Sequence, residues 1–414
     1  MNQMFYHFFS LKDFSLRKFS LRNSSLRKTL QLKLSILLLL MCASAQSAEP
    51  VTIPVAAPEP QIEAAAWGLM ELNSGWIVVS HNVHERRSPA SITKLMANYV
   101  IFSELRAGNI SLEDEVVISK RAWKAIGSRS FAEVDTKVKL DVLLKGMVIQ
   151  SGNDASIALA EHISQSEPDF AGLMNRYARE IGLQSSFFVN STGLTEPNHE
   201  MTALDILKLS SALIRDFPEY YHWYAQKELT HNGITQRNRN GLLWKDASID
   251  GLKTGYTDAA GYCLVATANR EGQRWIAVVL GTTSSAAREA AAFKLLEYGY
   301  NNYEPTVLLE SQESHGQVEV YAGDADLLEL KVAEAANIVV PRGRVTDVAI
   351  EYDYPEYIEA PIGASAQVGQ VRLMLDGAEL YQSPLLAISN IGQAGLFGSL
   401  FDSVRLWWRK FTEE

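Results

Sequence analysis

Three short clusters in this sequence carry residue types able to do covalent chemistry. The first, Ser88-Pro89-Ala90-Ser91-Ile92-Thr93-Lys94, sets a hydroxyl and an amine three residues apart. Pro89 suits the first turn of a helix and apolar residues continue at helical spacing to Leu105, so Ser91 Oγ and Lys94 Nζ share one face. Serine is a weak nucleophile until a neighbouring base takes its proton, and a lysine whose pKa falls on desolvation can be that base. The second cluster, Ser151-Gly152-Asn153, precedes a helix that Asp154 could cap. It offers a hydroxyl for proton relay and an amide for a substrate carbonyl, or else is an ordinary turn. The third, Lys253-Thr254-Gly255, brings a cation and a hydroxyl for a carboxylate, with a glycine that lets substrate approach the backbone.

The elements around these clusters must bring them together. A strand, a turn at Asn73-Ser74-Gly75 and a second strand occupy 66–72 and 76–80. Helical patterns follow over 121–126, 140–149, 154–163, 169–181 and 203–217, then a polar, Asn-rich loop over 232–240. Strands at 262–268 and 275–281 form a second hairpin, and a helix over 286–298 closes the segment. The fold class is therefore α+β: an antiparallel sheet that joins both ends of the segment and carries helices on its faces. Past residue 302 short β-rich runs at 317–321, 337–340, 345–352, 366–375 and 379–384 predict a small all-β domain, with no acid, His or Cys cluster that suggests chemistry.

The ends read differently. A basic stretch with a five-residue echo, an apolar run from Leu34 to Met41 and small residues up to Ala48 make residues 1–48 a secretory signal peptide, with cleavage after Ala45 or Ala48. Residues 49–65 are an extended, Pro-rich lead-in, 66–302 the catalytic domain and 303–387 the β-domain. In 388–414, Leu396, Phe397, Leu400, Phe401, Val404, Trp407, Trp408 and Phe411 form one helical stripe beside a basic end. That pattern predicts an in-plane membrane anchor, the alternative being a helix packed on the β-domain. Residues 1–48 hold seven Lys/Arg and one Asp, so their removal takes the net charge from −10 to −16. An acidic mature chain argues against nucleic acid as partner. It retains one cysteine, Cys263, in an apolar strand pattern that reads as a packing thiol rather than a nucleophile.

Ser-x-x-Lys, Ser-x-Asn and Lys-Thr-Gly in this order form the set found in penicillin-binding proteins and class A β-lactamases. With Gln150-Ser151-Gly152-Asn153-Asp154-Ala155, Asn238-Arg239-Asn240-Gly241-Leu242-Leu243-Trp244, Asp250-Gly251-Leu252-Lys253-Thr254-Gly255 and Pro341-Arg342-Gly343, the chain resembles the low-molecular-mass penicillin-binding proteins that are D-alanyl-D-alanine carboxypeptidases. The resemblance implies a DD-peptidase/β-lactamase-like domain, a β-domain and an amphipathic anchor. It implies that Ser91 attacks the carbonyl between the terminal D-alanines of a peptidoglycan stem peptide, with Lys94 as base, and that β-lactam antibiotics inhibit. Ser151 would relay a proton to the departing D-alanine, and Asn153 would bind the peptide. Backbone N–H groups of Ser91 and Tyr256 would hold the oxyanion. Lys253 and Thr254 would hold the carboxylate beside Gly255; Arg239 and Arg288 would support it, or else are surface or ion-paired arginines. The resemblance implies no metal or cofactor, and a peripheral place on the periplasmic face of the bacterial inner membrane. Tyr256 stands where several relatives carry histidine, which predicts slower deacylation. A serine β-lactamase and a non-catalytic wall scaffold are the rival readings; Glu196-Pro197-Asn198 only partly matches the lactamase glutamate motif.

Overall fold

Alternation along the strands explains why this sheet is apolar almost throughout. In the computed structural model, which describes residues 57–395, strands β1 (Ala66–Glu71), β2 (Ile77–His81), β3 (Ile249–Thr257), β4 (Gly261–Arg270) and β5 (Gln273–Thr282) pair antiparallel in the order β2-β1-β5-β4-β3. Cys263 and Val265 of β4, with Ile276, Val278 and Leu280 of β5, face one core; Leu264, Ala266, Trp275, Ala277 and Val279 face another. Burial of both faces removes the polar alternation of a half-exposed strand.

The first core packs α1 (Lys94–Arg106), α2 (Leu140–Ile149), α3 (Asn153–Ser164), α4 (Glu167–Glu180) and α5 (Ala203–Asp216). The second lies under α6 (Ser285–Asn302), whose Gly299 gives the Trp275 ring room that a Cβ would fill at 2.8 Å. Side chains of Ser166, Thr202 and Ser284 cap α4, α5 and α6 through the N–H groups of Asp169, Asp205 and Ala287.

Beyond Asn302 the described residues contain strands and one short 3₁₀ turn, Val345–Asp347. Six strands form one sheet; a separate ribbon pairs Tyr303–Val307 with Asn337–Pro341. The α+β expectation therefore holds, with an all-β domain second.

Three local readings change. The segment read as an Asn-rich loop, 232–240, holds the turn and second strand of a hairpin, Glu228–His231 with Ile234–Arg237, turned at Asn232 and Gly233 with φ of 49° and 74°. Two positive φ values suit Asn-Gly in a tight hairpin turn, and the exposed strands lack the apolar alternation that marks a strand. The 345–352 run is split, its strand beginning only at Ala349–Asp353. Ser91 stands on a 3₁₀ turn, Ala90–Thr93, and the α-helix proper starts at Lys94. The segment read as the signal peptide and the amphipathic stripe of 388–414 lie outside the described residues. Among those described, no helix is long and apolar enough to cross a membrane.

Candidate active site

Three residues per turn put Ser91 directly beneath Lys94 on the 3₁₀ turn. Lys94 Nζ lies 3.0 Å from Ser91 Oγ, 2.7 Å from Asn153 Oδ1 and 2.7 Å from the Thr192 carbonyl. The lysine is fully buried, and its partners are all uncharged. Burial lowers its pKa to about 7; Glu167 and Asp154 oppose the shift from a distance and Arg239 reinforces it. A neutral lysine has two N–H donors and one lone pair. Asn153 donates its Nδ2 to the Ile126 carbonyl at 2.7 Å, which turns Oδ1 toward the lysine. Asn153 Oδ1 and Thr192 O can only accept, so the lone pair falls to the Ser91 hydroxyl. The geometry thus supports transfer of the Ser91 proton to Lys94.

Asn153 sits at the start of α3, with Gly152 at the cap position. Asp154 is not the cap. Its carboxylate accepts from the N–H groups of Ser130 and Ala132 and from Ser130 Oγ, at 2.8 to 3.2 Å, tying the neighbouring loop down. Ser151 is held at φ 62°, with Oγ buried and unpartnered among the described residues. Such a hydroxyl is free to exchange a proton with bound substrate.

The third cluster lies on β3, the edge strand. Gly255 is the point of closest approach: a Cβ there would meet the Pro89 carbonyl at 3.0 Å and Ser91 N at 3.2 Å. Thr254, Gly255 and Tyr256 line a cleft of about 510 Å³ together with Ser91, Ser151, Asn153, Arg239 and Arg288. Lys253 is buried and does not line it; its Nζ donates to the Thr254 carbonyl at 3.0 Å. Burial first, then Lys94, Arg239 and Arg288, push its pKa well down. Arg288 is buried and donates to the Gly255 carbonyl at 3.1 Å, and Arg239 donates to the carbonyl and side chain of Gln150. Neither arginine has a carboxylate partner among the described residues. Two such cations facing one cleft suit an anionic ligand.

Tyr256 is half exposed, packs its ring at a tilt against Tyr262 with centroids 4.3 Å apart and donates its hydroxyl to Asp258 at 2.7 Å. That hydrogen bond raises its pKa. Cys263 is buried, which raises its thiol pKa, in keeping with packing. Glu196 lies on the exposed side of its loop, outside the Ser91 cleft.

Sequence reasoning missed a fourth contributor, the 190–194 loop. Gly193, at φ 82°, packs so closely that a Cβ would fall 1.8 Å from the Ala90 carbonyl. Ser191 donates backbone and hydroxyl to Glu167 at 3.0 and 2.9 Å, and Arg121 pairs with the other oxygen of that carboxylate. His199 Nδ1 accepts from Val189 N at 3.2 Å, so Nε2 carries the hydrogen and donates to Thr93 Oγ1 at 2.8 Å. Burial lowers the pKa of this imidazole to about 4, with Lys94 adding to the shift. The Asn-Ser-Thr-Gly sequence signals a turn. Nothing in it signals a carbonyl aimed at a lysine.

A serine–lysine pair on a helix entry, facing an edge strand of an antiparallel sheet, is the arrangement of an active-site-serine hydrolase. Residues 53–284 match the family model described as D-alanyl-D-alanine carboxypeptidase, and residues 303–393 match that of the penicillin-binding protein 5 C-terminal domain. The chain is 38% identical over 356 residues to the D-alanyl-D-alanine carboxypeptidase DacD of Salmonella typhimurium, covering 84% of this chain and 91% of that one. The crystal structure of penicillin-binding protein 5 from Haemophilus influenzae superposes with a TM-score of 0.78 at 37% identity, over 81% of this chain and 100% of the other. Penicillin-binding protein D2 from Listeria monocytogenes, in its ampicillin-bound form, matches with a TM-score of 0.55 at 28% identity, over 59% of this chain and 100% of that one. The chain belongs to the D-alanyl-D-alanine carboxypeptidase family and is a serine-type hydrolase.

Proposed function

We propose that Ser91 is the nucleophile and Lys94 the general base of this carboxypeptidase. The observation that carries the assignment is the buried Lys94 amine, whose other two acceptors leave its lone pair to the Ser91 hydroxyl. Ser91 attacks the carbonyl between the two D-alanines of a peptidoglycan stem peptide and forms an ester. The backbone N–H groups of Ser91 and Tyr256 hold the oxyanion, a reading supported by the close approach of Gly255 to Ser91 N. The unpartnered Ser151 hydroxyl passes a proton to the departing D-alanine. Asn153 positions the peptide. Thr254, Arg239 and Arg288 hold the terminal carboxylate, with Lys253 buried behind them and donating to the Thr254 carbonyl.

Water then releases the shortened peptide. A β-lactam enters the same cleft and acylates Ser91. The mature chain, divided at 66–302 and 303–387, works outside the cytoplasmic membrane, with the 388–414 segment lying in the membrane surface; the signal-peptide pattern and the aromatic, basic stripe support this. D-alanine release from a stem pentapeptide tests the assignment. Wild type releases D-alanine and holds a fluorescent penicillin, and Ser91→Ala does neither. Adduct formation on Ser91→Ala would overturn it.

A further inference from the structure

Glu71, the last residue of β1, is 1% exposed, and half of its carboxylate is unsatisfied. Oε2 accepts from Ser74 N at 2.7 Å and from Ser74 Oγ at 2.8 Å. Oε1 is buried and meets no donor among the described residues. A carboxylate taken out of water in this way is costly unless a cation or further donors complete it. Glu71 lines a groove of about 380 Å³, and among the described residues no Lys, Arg or His lines it with Glu71.

The groove lies where the catalytic domain meets the β-domain, and it shares no residue with the Ser91 cleft. The catalytic domain supplies Glu71 and also Glu271, which stands exposed on the turn between β4 and β5. The β-domain supplies Pro305, Val307, Asn337 and Ile338 from its two-stranded ribbon. Asn337 gives its Nδ2 to the Ala335 carbonyl at 3.2 Å, which leaves Oδ1 as an acceptor. Pro305, Val307 and Ile338 make an aliphatic wall, with Val307 43% exposed. Surplus negative charge thus stands beside apolar surface.

That combination selects the ligand. Among the described residues no group of three His, Cys, Asp or Glu side chains is placed to hold a metal ion, and a bare ion gains nothing from an aliphatic wall. An ammonium at the end of a short methylene chain uses both features, its head on carboxylate and amide oxygens and its stem on the wall. We infer that this interdomain groove binds a primary alkylammonium group. The ammonium donates to Glu71 Oε1 and Asn337 Oδ1, Glu271 adds charge at the mouth, and the methylenes lie on Pro305, Val307 and Ile338. Two sources carry such a group: a free aliphatic amine, and a lysine side chain presented by a protein partner.

The test is a ligand-detected NMR titration of the full chain with pentylamine, pentanol and N-acetyl-lysine amide. Pentylamine is expected to bind with a Kd of about 1 mM and pentanol about tenfold more weakly, the factor that a charge-assisted hydrogen bond supplies. Glu71→Gln keeps an oxygen for Ser74 while removing the charge; it weakens pentylamine by about tenfold and leaves pentanol unchanged. Glu271→Gln, at an exposed position, weakens pentylamine by about twofold. Both variants acylate with penicillin as wild type does, which shows that they are folded. Binding of N-acetyl-lysine amide beside pentylamine assigns the groove to a lysine side chain, and binding of pentylamine without it assigns the groove to free amines. Pentanol binding as tightly as pentylamine, pentylamine binding that survives Glu71→Gln, or no pentylamine binding at about ten times the expected Kd would overturn the inference. So would calcium ions binding in the amine's place.

Discussion

The catalytic domain and the β-domain handle charge in opposite ways. The first buries Glu71, Lys94, Asp154, Glu167, Asp205, Lys253 and Arg288, whereas beyond residue 302 the one buried polar side chain among the described residues is Ser383. The β-domain keeps its ion pairs outside: Arg344 meets Asp347 and Asp376, and Arg372 meets Glu351, all on open surface. Its core is Val318, Leu328, Leu330, Leu373, Leu385 and neighbours. A buried charge costs free energy unless it is paired or gives up its proton, so a domain that retains many has a use for them. Here Asp154 and Glu167 tie down the loops that enclose Lys94, and burial brings that amine's pKa down to about 7 between a hydroxyl and two acceptors. The β-domain, with nothing to tune, packs like an ordinary all-β core.

Three substitutions bear on this contrast. Lys94→Ala removes the proposed base, and the rate of acylation by penicillin is expected to fall by roughly a hundredfold to ten-thousandfold, as for loss of a general base. The acylation rate of wild type against pH checks the same point. Lys94 must be neutral to accept a proton, and its folded pKa is lowered to about 7. Below that pH the ammonium dominates and the rate falls about tenfold per pH unit; above it the rate reaches a plateau. A profile flat from pH 5 to 8 would break the argument.

Leu373→Ala, in the core of the β-domain, is expected to cost about 2 to 5 kcal/mol of stability, read by urea unfolding. It should leave penicillin acylation unchanged, because no β-domain residue lines the cleft. A matching loss of acylation would mean that the two domains share more than a chain. The smallest effect belongs to Tyr256→His. Tyr256 is engaged with Asp258 and its hydroxyl pKa is raised, so it is a poor base for the deacylating water. Histidine should speed loss of the penicillin adduct by a few fold, with acylation unaltered; equal adduct lifetimes would discard the idea.

Much of the architecture is legible in the residue pattern. The helices over Leu140–Ile149 and Ala203–Asp216 carry clean apolar periodicity and begin within a residue of where that pattern does. Harder to see are the ribbons Glu115–Val117 with Lys137–Lys139 and Glu228–His231 with Ile234–Arg237. These are three- and four-residue strands on the surface, so they bury too little on one face to leave an alternating signature.

The site divides in the same way. Ser91 and Lys94 are three residues apart on one turn, a local relation that composition and spacing alone determine, and the three motifs name the family by their order. Distance in the chain hides the rest. Thr192, the lysine's third partner, contributes a carbonyl that every residue possesses, from a loop 98 residues away. His199 and Gly193 brace that loop through contacts with Thr93 and Ala90 that no spacing encodes. Most of all, a lysine's ordinary pKa lies near 10.4, and only burial among uncharged acceptors brings it to about 7. The sequence determined which amine stands beside which hydroxyl. Whether that amine can take the proton depends on desolvation, which exists only once distant segments have closed around it.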